Sequence, residues 1–472
     1  MQKDLVICQI PFTGTDYPLM AGAVLKGIAD KAGWSSIVYD FNKKYYEELK
    51  QHELGRQVTD WLMNETPDIK ILDYVKQMFD HMSDKIISHN PKLVAISLFS
   101  YCCKTSAIYL SMMIKQKNPK IKIIAGGSGL YDGVEMKTDF ADHMKRMKLF
   151  DHYIIGDADH SFYEFLTNNK NFAGIDSASW EPLSNDALDT LTYPNYDDHD
   201  WSMYQRVSIP ITGSRGCVRK CNFCNDILHW KKFSFRTAES IFQEMLSQSE
   251  KYKIYHFEFS DALINGNVRE FRLLCEKLAM HNKKTKNRIE WSSQFIFRPK
   301  NQFSEVDWDH LKESGAVSIN VGVESLDENI RHDMGKKFNQ SDLEFNLAQC
   351  KRLNLPVICN VIVGYPLEDQ TSIDKSKKWL EDNTQFNDIM ILNLGGTMAI
   401  FPDTILWNNM EKYNITLKAP TYNQWRNHIS TPSLRKKWWQ ELYSCAKQNG
   451  FQVLHTFENS IILEGLTLHE ST

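Results

Sequence analysis

Cys217, Cys221 and Cys224 stand in the run Gly216-Cys-Val-Arg-Lys-Cys-Asn-Phe-Cys-Asn225. Three thiolates at this spacing can wrap one face of a metal cluster from a single short loop. Cubane iron–sulfur clusters take four Cys ligands, so three leave one iron open to another ligand, and an open iron is a place for chemistry. The rival is structural zinc, because Cys221-x2-Cys224-x4-His229 is also three-quarters of a zinc knuckle. That knuckle needs a fourth ligand at position 234, which is Ser234, and no second CxxC completes a ribbon.

Elements of two kinds must position this loop. From the N-terminus, strand-like runs at Leu5–Ile10, Ser36–Phe41, Leu93–Leu98, Ile121–Ala125 and Asp151–Ile155 alternate with helical patterns such as Leu19–Ala32 and Ile108–Lys115. The fourth run ends in Gly126-Gly127-Ser128-Gly129. Such alternation predicts a parallel, doubly wound sheet that binds ligands at the carboxyl ends of its strands, where glycines let backbone come close. A long insertion, 42–90, reads as a helical layer on that sheet, and the aperiodic stretch from Asn168 to Tyr204 reads as linker.

A second array follows, with strands predicted at Val207–Thr212, Ile254–Ser260, Ile289–Gln294, Val317–Val321, Val357–Val363 and Ile389–Leu394, separated by helices. Six β/α units fit a parallel barrel with its chemistry at the strands' carboxyl ends, and the Cys loop follows the first strand. The tail carries Trp407, Trp425, Trp438 and Trp439, reads as helical packing, and ends in a predicted hairpin over Phe451–Leu463. The fold class is therefore α/β. A Rossmann-like (flavodoxin-like) doubly wound domain spans 1–168, a linker 169–205, a partial (β/α)6 TIM-like barrel 206–405 and a helical C-terminal extension or cap 406–472.

At 472 residues, with 42% hydrophobic and 24% charged, the composition is that of an ordinary globular protein. A net charge of -4 supplies no global field for nucleic acid or an anionic membrane. The opening MQKDLVICQIPF is not expected to be a signal peptide, and no apolar run reaches membrane-spanning length. The other seven of the ten cysteines form no disulfide framework, so a reducing cytoplasm is the expected compartment.

Several stretches together give a family resemblance. Cys217-x3-Cys221-x2-Cys224 after the first barrel strand, Phe223 before the last Cys, Gly322-Val-Glu-Ser325, Met334-Gly-Lys336 and Ile362-Val-Gly-Tyr-Pro-Leu-Glu368 stand in order at barrel spacing. The second array resembles the radical S-adenosylmethionine (SAM) superfamily. That resemblance implies a [4Fe-4S] cluster on the three cysteines, with SAM chelating the open iron through its amine and carboxylate. It also implies reductive cleavage of SAM to a 5′-deoxyadenosyl radical, and an electron donor such as flavodoxin or ferredoxin.

Phe223 and the Gly364–Pro366 stretch are expected near adenine, and Glu324, followed by Ser325, near the ribose. Ser260, Asp261, Gln294 and Arg298, at the ends of the second and third strands, are candidates for the methionyl group or the substrate; Asn320 in the fourth is another. The family's common Gly-Gly-Glu is replaced here by Ser260-Asp261-Ala262. Arg215, Arg219 and Lys220 put positive charge around the loop, which favours a reduced cluster.

The N-terminal part, with Gly126, Gly127 and Ser128 and the run Asp151-His-Tyr-Ile-Ile-Gly-Asp157, looks like the cobalamin-binding domain often fused ahead of such barrels. Many such domains carry a cobalt-ligating His in the loop after the first strand. The Asp16 loop, Asp16-Tyr-Pro-Leu-Met-Ala21, has Pro18 there and offers no His. The resemblance therefore implies a cobalamin-dependent methyltransferase acting on an unactivated carbon of a small-molecule or peptide substrate. The alternatives are radical rearrangement, cyclisation or oxidation without methyl transfer, and a zinc-stabilised α/β binding protein. Nucleic acid and membrane partners are not expected.

Overall fold

The computed structural model describes the whole chain except residues 1, 14–16, 65–67, 132–136, 168–174, 178–179, 418–421 and 456–472. Asp16 and the second half of the predicted hairpin lie outside the described residues. Two compact units divide between Pro210 and Ile211.

The first unit is built on β1 (Leu5–Gln9), β2 (Ser36–Asp40), β3 (Leu93–Ser97), β4 (Lys122–Gly126) and β5 (His152–Ile154). They form one sheet in the order β2-β1-β3-β4-β5, every pair parallel. All five residues of β1, Leu-Val-Ile-Cys-Gln, are buried, as expected of a central strand covered on both faces. Leu5, Ile7, Leu93, Ala95 and Ile124 pack with Ile28 and Ala29 of the helix Met20–Lys31 and with Phe162 and Leu166 of the helix Ala158–Leu166. The order reverses at β1/β3, the switch point of a flavodoxin-like sheet, where ligands bind outside the strands' carboxyl ends. The insertion is helical as read, with helices Phe41–Lys50, Gly55–Asn64 and Leu72–Ile87.

The second half of the stretch read as linker is built into this unit. Asp198 accepts the Val38 N–H at 2.9 Å and pairs with Lys26 at 2.8 Å, and Asn195 N donates to Ala23 O at 2.8 Å. Strand β2 is an edge with unpaired backbone groups, and this segment satisfies and covers it.

The second unit begins within β6 (Ile209–Ile211), followed by β7 (Ser214–Arg215), β8 (Ser234–Phe235), β9 (His256–Phe259), β10 (Glu290–Phe295), β11 (Ala316–Glu324), β12 (Val357–Val363), β13 (Met390–Thr397) and β14 (Gln452–His455). Seven strands form one sheet, β14-β13-β12-β11-β10-β9-β6. All six expected strands are present, and the seventh comes from the tail. β14 pairs parallel to β13, so the extension is not purely helical, and Gln452–His455 joins the barrel sheet. The tail tryptophans pack as read: Trp425 is fully buried with its indole N–H on Met398 O (2.8 Å), and Trp439 bonds Gly395 O (2.8 Å).

Burial alternates along these strands. In β12, Val357, Cys359, Val361 and Val363 are buried against the helical layer, while Ile358, Asn360 and Ile362 are only half-buried on the other face. The inner face of the barrel is thus open and carries polar groups.

Candidate active site

The antiparallel pair β7/β8, joined Ser214–Phe235 and Arg215–Ser234, brackets the loop that bears the three cysteines. Gly216 opens it with φ +78°, and a Cβ there would lie 2.4 Å from Lys232 O, so only glycine lets the two arms close. Asp261 holds the stem, its carboxylate accepting Gly213 N at 2.7 Å. Cys221 is buried and Cys217 and Cys224 half-buried. Burial pushes all three thiols above their ordinary range, Cys224 to about 12 with the Asp226 carboxylate adding to the effect. Loading a metal must therefore displace protons from the loop.

The loop supplies three thiolates from one short run of sequence. Tetrahedral zinc needs its four ligands about 2.0–2.3 Å from one point, whereas a cubane takes its cysteines on separate irons. The donor set fits a cluster.

The loop is backed by the turn Met334-Gly335-Lys336. Gly335 has φ +88°, and a Cβ there would stand 3.1 Å from Lys220 O and 3.4 Å from the Cys221 Cα. Lys336 Nζ lies 2.9 Å from Glu324 Oε1, both side chains about one-tenth exposed, and 5.9 Å from the centre of the Phe223 ring. Burial works against the Lys336 ammonium, but Glu324 and the Cys221 thiol outweigh it and hold its pKa above the ordinary lysine value. Glu324 ends β11 with φ +68°, at a register irregularity between Gly322 and Glu324. Backbone strain of this kind collects at functional sites, where it re-aims a side chain. Cys221, Phe223, Glu324 and Lys336 are thus gathered side by side.

Other predicted residues serve neighbouring loops. Ser325 Oγ accepts Asp327 N (3.2 Å), and Pro366 O accepts from Asn427 (2.9 Å). Gly364, φ +91°, gives its N–H to Glu368 and lies against Arg435 of the tail, whose Cδ would be 2.0 Å from a Cβ there. Arg298 is buried without an acid partner, donating to Asn265 O (2.7 Å), Gly266 O (3.0 Å) and Gln302 (3.3 Å). Burial first, and Arg219 next, lower its pKa to about 10. Ser260 lies 3.0 Å from Thr212 across the strand ends.

Gln294 stands on β10 in register with Asn320 of β11. Asn320 begins a ladder that sequence reasoning missed: Asn360 donates to Asn320 at 2.7 Å and Asn393 to Asn360 at 2.8 Å. Further along the same sheet, Ser292 donates to Glu258 at 2.7 Å.

In the first unit, β4 runs into Gly126-Gly127-Ser128. Among the described residues a side chain at Gly126 would meet Ile154 O alone, at 3.7 Å; Gly127 has φ +108°, and a Cβ there would meet Leu98 O. Ser128 Oγ donates to Phe99 O. Phe99 and Tyr101, after β3, are 50% and 64% exposed. This is an aromatic shelf beside a two-glycine step at the carboxyl ends of the strands.

Residues 211–380 match the family model of the radical SAM superfamily. The chain carries a radical SAM domain. A radical SAM domain implies SAM and a [4Fe-4S] cluster, and the cysteine loop lies within the matched residues. The chain is 22% identical over 404 residues to an uncharacterized methyltransferase of Pyrococcus horikoshii, covering 79% of this chain and 81% of the relative. It is 20% identical over 219 residues to the anaerobic magnesium-protoporphyrin IX monomethyl ester cyclase of Synechocystis sp., 42% of each chain. Among solved structures it resembles the radical SAM methyltransferase TsrM of Kitasatospora setae, with cobalamin and a [4Fe-4S] cluster bound. The TM-score is 0.61 at 12% identity, over 93% of this chain and 82% of that one. It also resembles the cobalamin-dependent SAM radical enzyme OxsB, TM-score 0.56 at 13% identity, over 87% of this chain but 56% of OxsB. At these identities the structural likeness is one of fold. No helix among the described residues is long and apolar enough to cross a membrane.

Proposed function

We propose that this radical SAM enzyme is a cobalamin-dependent methyltransferase that acts on an unactivated carbon. The observation that carries the reading is the pairing, in one chain, of the three-thiol loop with a flavodoxin-like sheet whose β4 ends in a two-glycine step. The same two-part fold in TsrM, described as a methyltransferase with cobalamin bound, supports it.

Cys217, Cys221 and Cys224 hold the cluster, and the stem Gly213–Arg215, fastened by Asp261, aims the loop. Glu324 and Lys336 form a fixed ion pair beside Cys221 that would orient the polar end of a bound cofactor. The Gly126–Ser128 step and the Phe99/Tyr101 shelf would hold the corrin face. The residues at this step fit a large flat ligand, because a Cβ at Gly126 would meet no described atom closer than 3.7 Å and the flanking aromatics are exposed. When bound, the cluster supplies the electron that breaks a carbon–sulfur bond of SAM, and cobalamin supplies a carrier for a methyl group. The Asn320–Asn360–Asn393 ladder lines the open inner face of the barrel and offers amide donors and acceptors to a small-molecule or peptide substrate. A flavodoxin- or ferredoxin-type protein is the proposed electron donor.

The test is anaerobic reconstitution with iron, sulfide, cobalamin, reductant and SAM. Formation of both S-adenosylhomocysteine and 5′-deoxyadenosine, lost in Cys217→Ala, is the expected result. Deoxyadenosine alone would move the assignment to a radical rearrangement or oxidation. Neither product, with Cys217→Ala indistinguishable from the parent, overturns the radical reading.

A further inference from the structure

Asn222, between Cys221 and Phe223, is 7% exposed and anchored through both backbone groups and its side-chain NH2. Its backbone N–H donates to Met334 O at 3.1 Å, and its carbonyl accepts Leu406 N at 2.7 Å. Its side-chain amide donates to Asp333 O at 2.8 Å and to the Tyr365 hydroxyl. Tyr365 in turn donates to Asp333 Oδ2 at 2.6 Å, and Tyr413 donates to the same oxygen at 2.9 Å. Lys412 Nζ stands 3.7 Å from the other Asp333 oxygen. A turn, a barrel loop and the tail thus converge on one residue of the cysteine loop.

Packing alone does not explain this. Tyr365 and Tyr413 sit in an apolar cluster with Met334, Ile400, Leu406 and Trp425, where phenylalanine would fill the same space. Burying a hydroxyl costs about 1–3 kcal/mol unless it is hydrogen-bonded, so two hydroxyls trained on one carboxylate serve orientation and charge. Hydrogen bonding and net charge around a cluster are the protein's main means of setting its potential. We propose that Asp333, Tyr365 and Tyr413 are positioning residues that act through Asn222 to fix the cluster loop and to hold the cluster's reduction potential low. The proposal rests on the reading that Cys217, Cys221 and Cys224 hold a cluster.

The experiment uses the full reconstituted chain and three variants: Asp333→Asn, Tyr365→Phe and Tyr413→Phe. Iron per chain, the EPR-monitored midpoint potential, and the change in EPR signal on adding SAM are measured for each. Iron content is expected to match the parent. Asp333→Asn removes a negative charge, so at the parent's midpoint potential the ratio of reduced to oxidised cluster should rise about tenfold, a 59 mV shift for one electron. Tyr413→Phe strips a donor from Asp333 and should shift the potential the opposite way. Tyr365→Phe releases the Asn222 side chain and should alter the SAM-induced EPR change.

Variants that load iron with the parent's potential and EPR response, whatever their unfolding midpoints, overturn the proposal and leave the network a merely structural role. Should Asp333→Asn not fold, the downward shift in Tyr413→Phe decides alone. A parent that binds no iron overturns the cluster reading itself, and this proposal with it.

Discussion

Lys336→Met is the sharpest single perturbation of the cysteine site. Lys336 Nζ and Glu324 Oε1 are 2.9 Å apart with both side chains about one-tenth exposed, so at an effective dielectric of about 20 their attraction is about 6 kcal/mol. Most of that offsets the cost of taking both charges out of water. Removing one partner leaves the other buried and unpaired, which costs about 3–5 kcal/mol. Glu324→Gln should cost a similar amount. The double variant, with neither charge left, should recover most of the loss and fall at least about 3 kcal/mol short of the sum of the singles. Urea denaturation of the metal-free chain, followed by tryptophan fluorescence, gives the four values of the cycle. If the two singles simply add, the pair is not coupled as its geometry requires, and its role as a fixed ion pair beside Cys221 fails.

Three further outcomes follow from positions described above. Gly216→Ala forces a Cβ to 2.4 Å from Lys232 O at φ +78°, so iron uptake per chain should fall sharply while the far-UV CD spectrum stays native. Burial raises Glu368 to about 7 from its ordinary 4.5, against the opposing bond from Gly364 N. The folded state then holds a proton that the unfolded chain has released, so stability should decline as pH rises from about 4.5 through 7, by about 3 kcal/mol in all, and level off above; Glu368→Gln should flatten the profile measured by denaturant midpoints. Trp425→Ala empties a fully buried site bounded by Met398 and Arg435 and should lower stability by about 3–5 kcal/mol in thermal or urea unfolding, because this tail residue is part of the barrel's own core.

Strand positions were legible because period-two burial and short apolar runs are local signals, as in Val357-Ile-Cys-Asn-Val-Ile-Val363. The same parity places Asn360 with Ile358 and Ile362 on the open face, so the amide ladder could have been read from it. The cysteine loop stood out because its three cysteines lie within one run of eight residues. β14 was not, since Gln452–His455 is short and joins β13 by a pairing across the intervening extension and helix, which no local pattern announces. The Asn222 network was hidden for a related reason: positions 222, 333, 365, 406 and 413 belong to separate segments. Arg298 was expected at the methionyl group or the substrate. Its guanidinium bonds the carbonyls of Asn265 and Gly266, contacts between separate segments that no local pattern announces.

The tail's contacts also impose an order on biogenesis. Leu406 and Tyr413 tie down Asn222 through its backbone and through Asp333, and β14 completes the sheet edge at β13. All three lie C-terminal to the six β/α units, so a nascent chain on the ribosome exposes its cysteine loop long before the parts that hold it still have been made. The natural moment for cluster insertion therefore comes after synthesis. A chain stalled before Leu406 would present three loosely held thiols to oxidation.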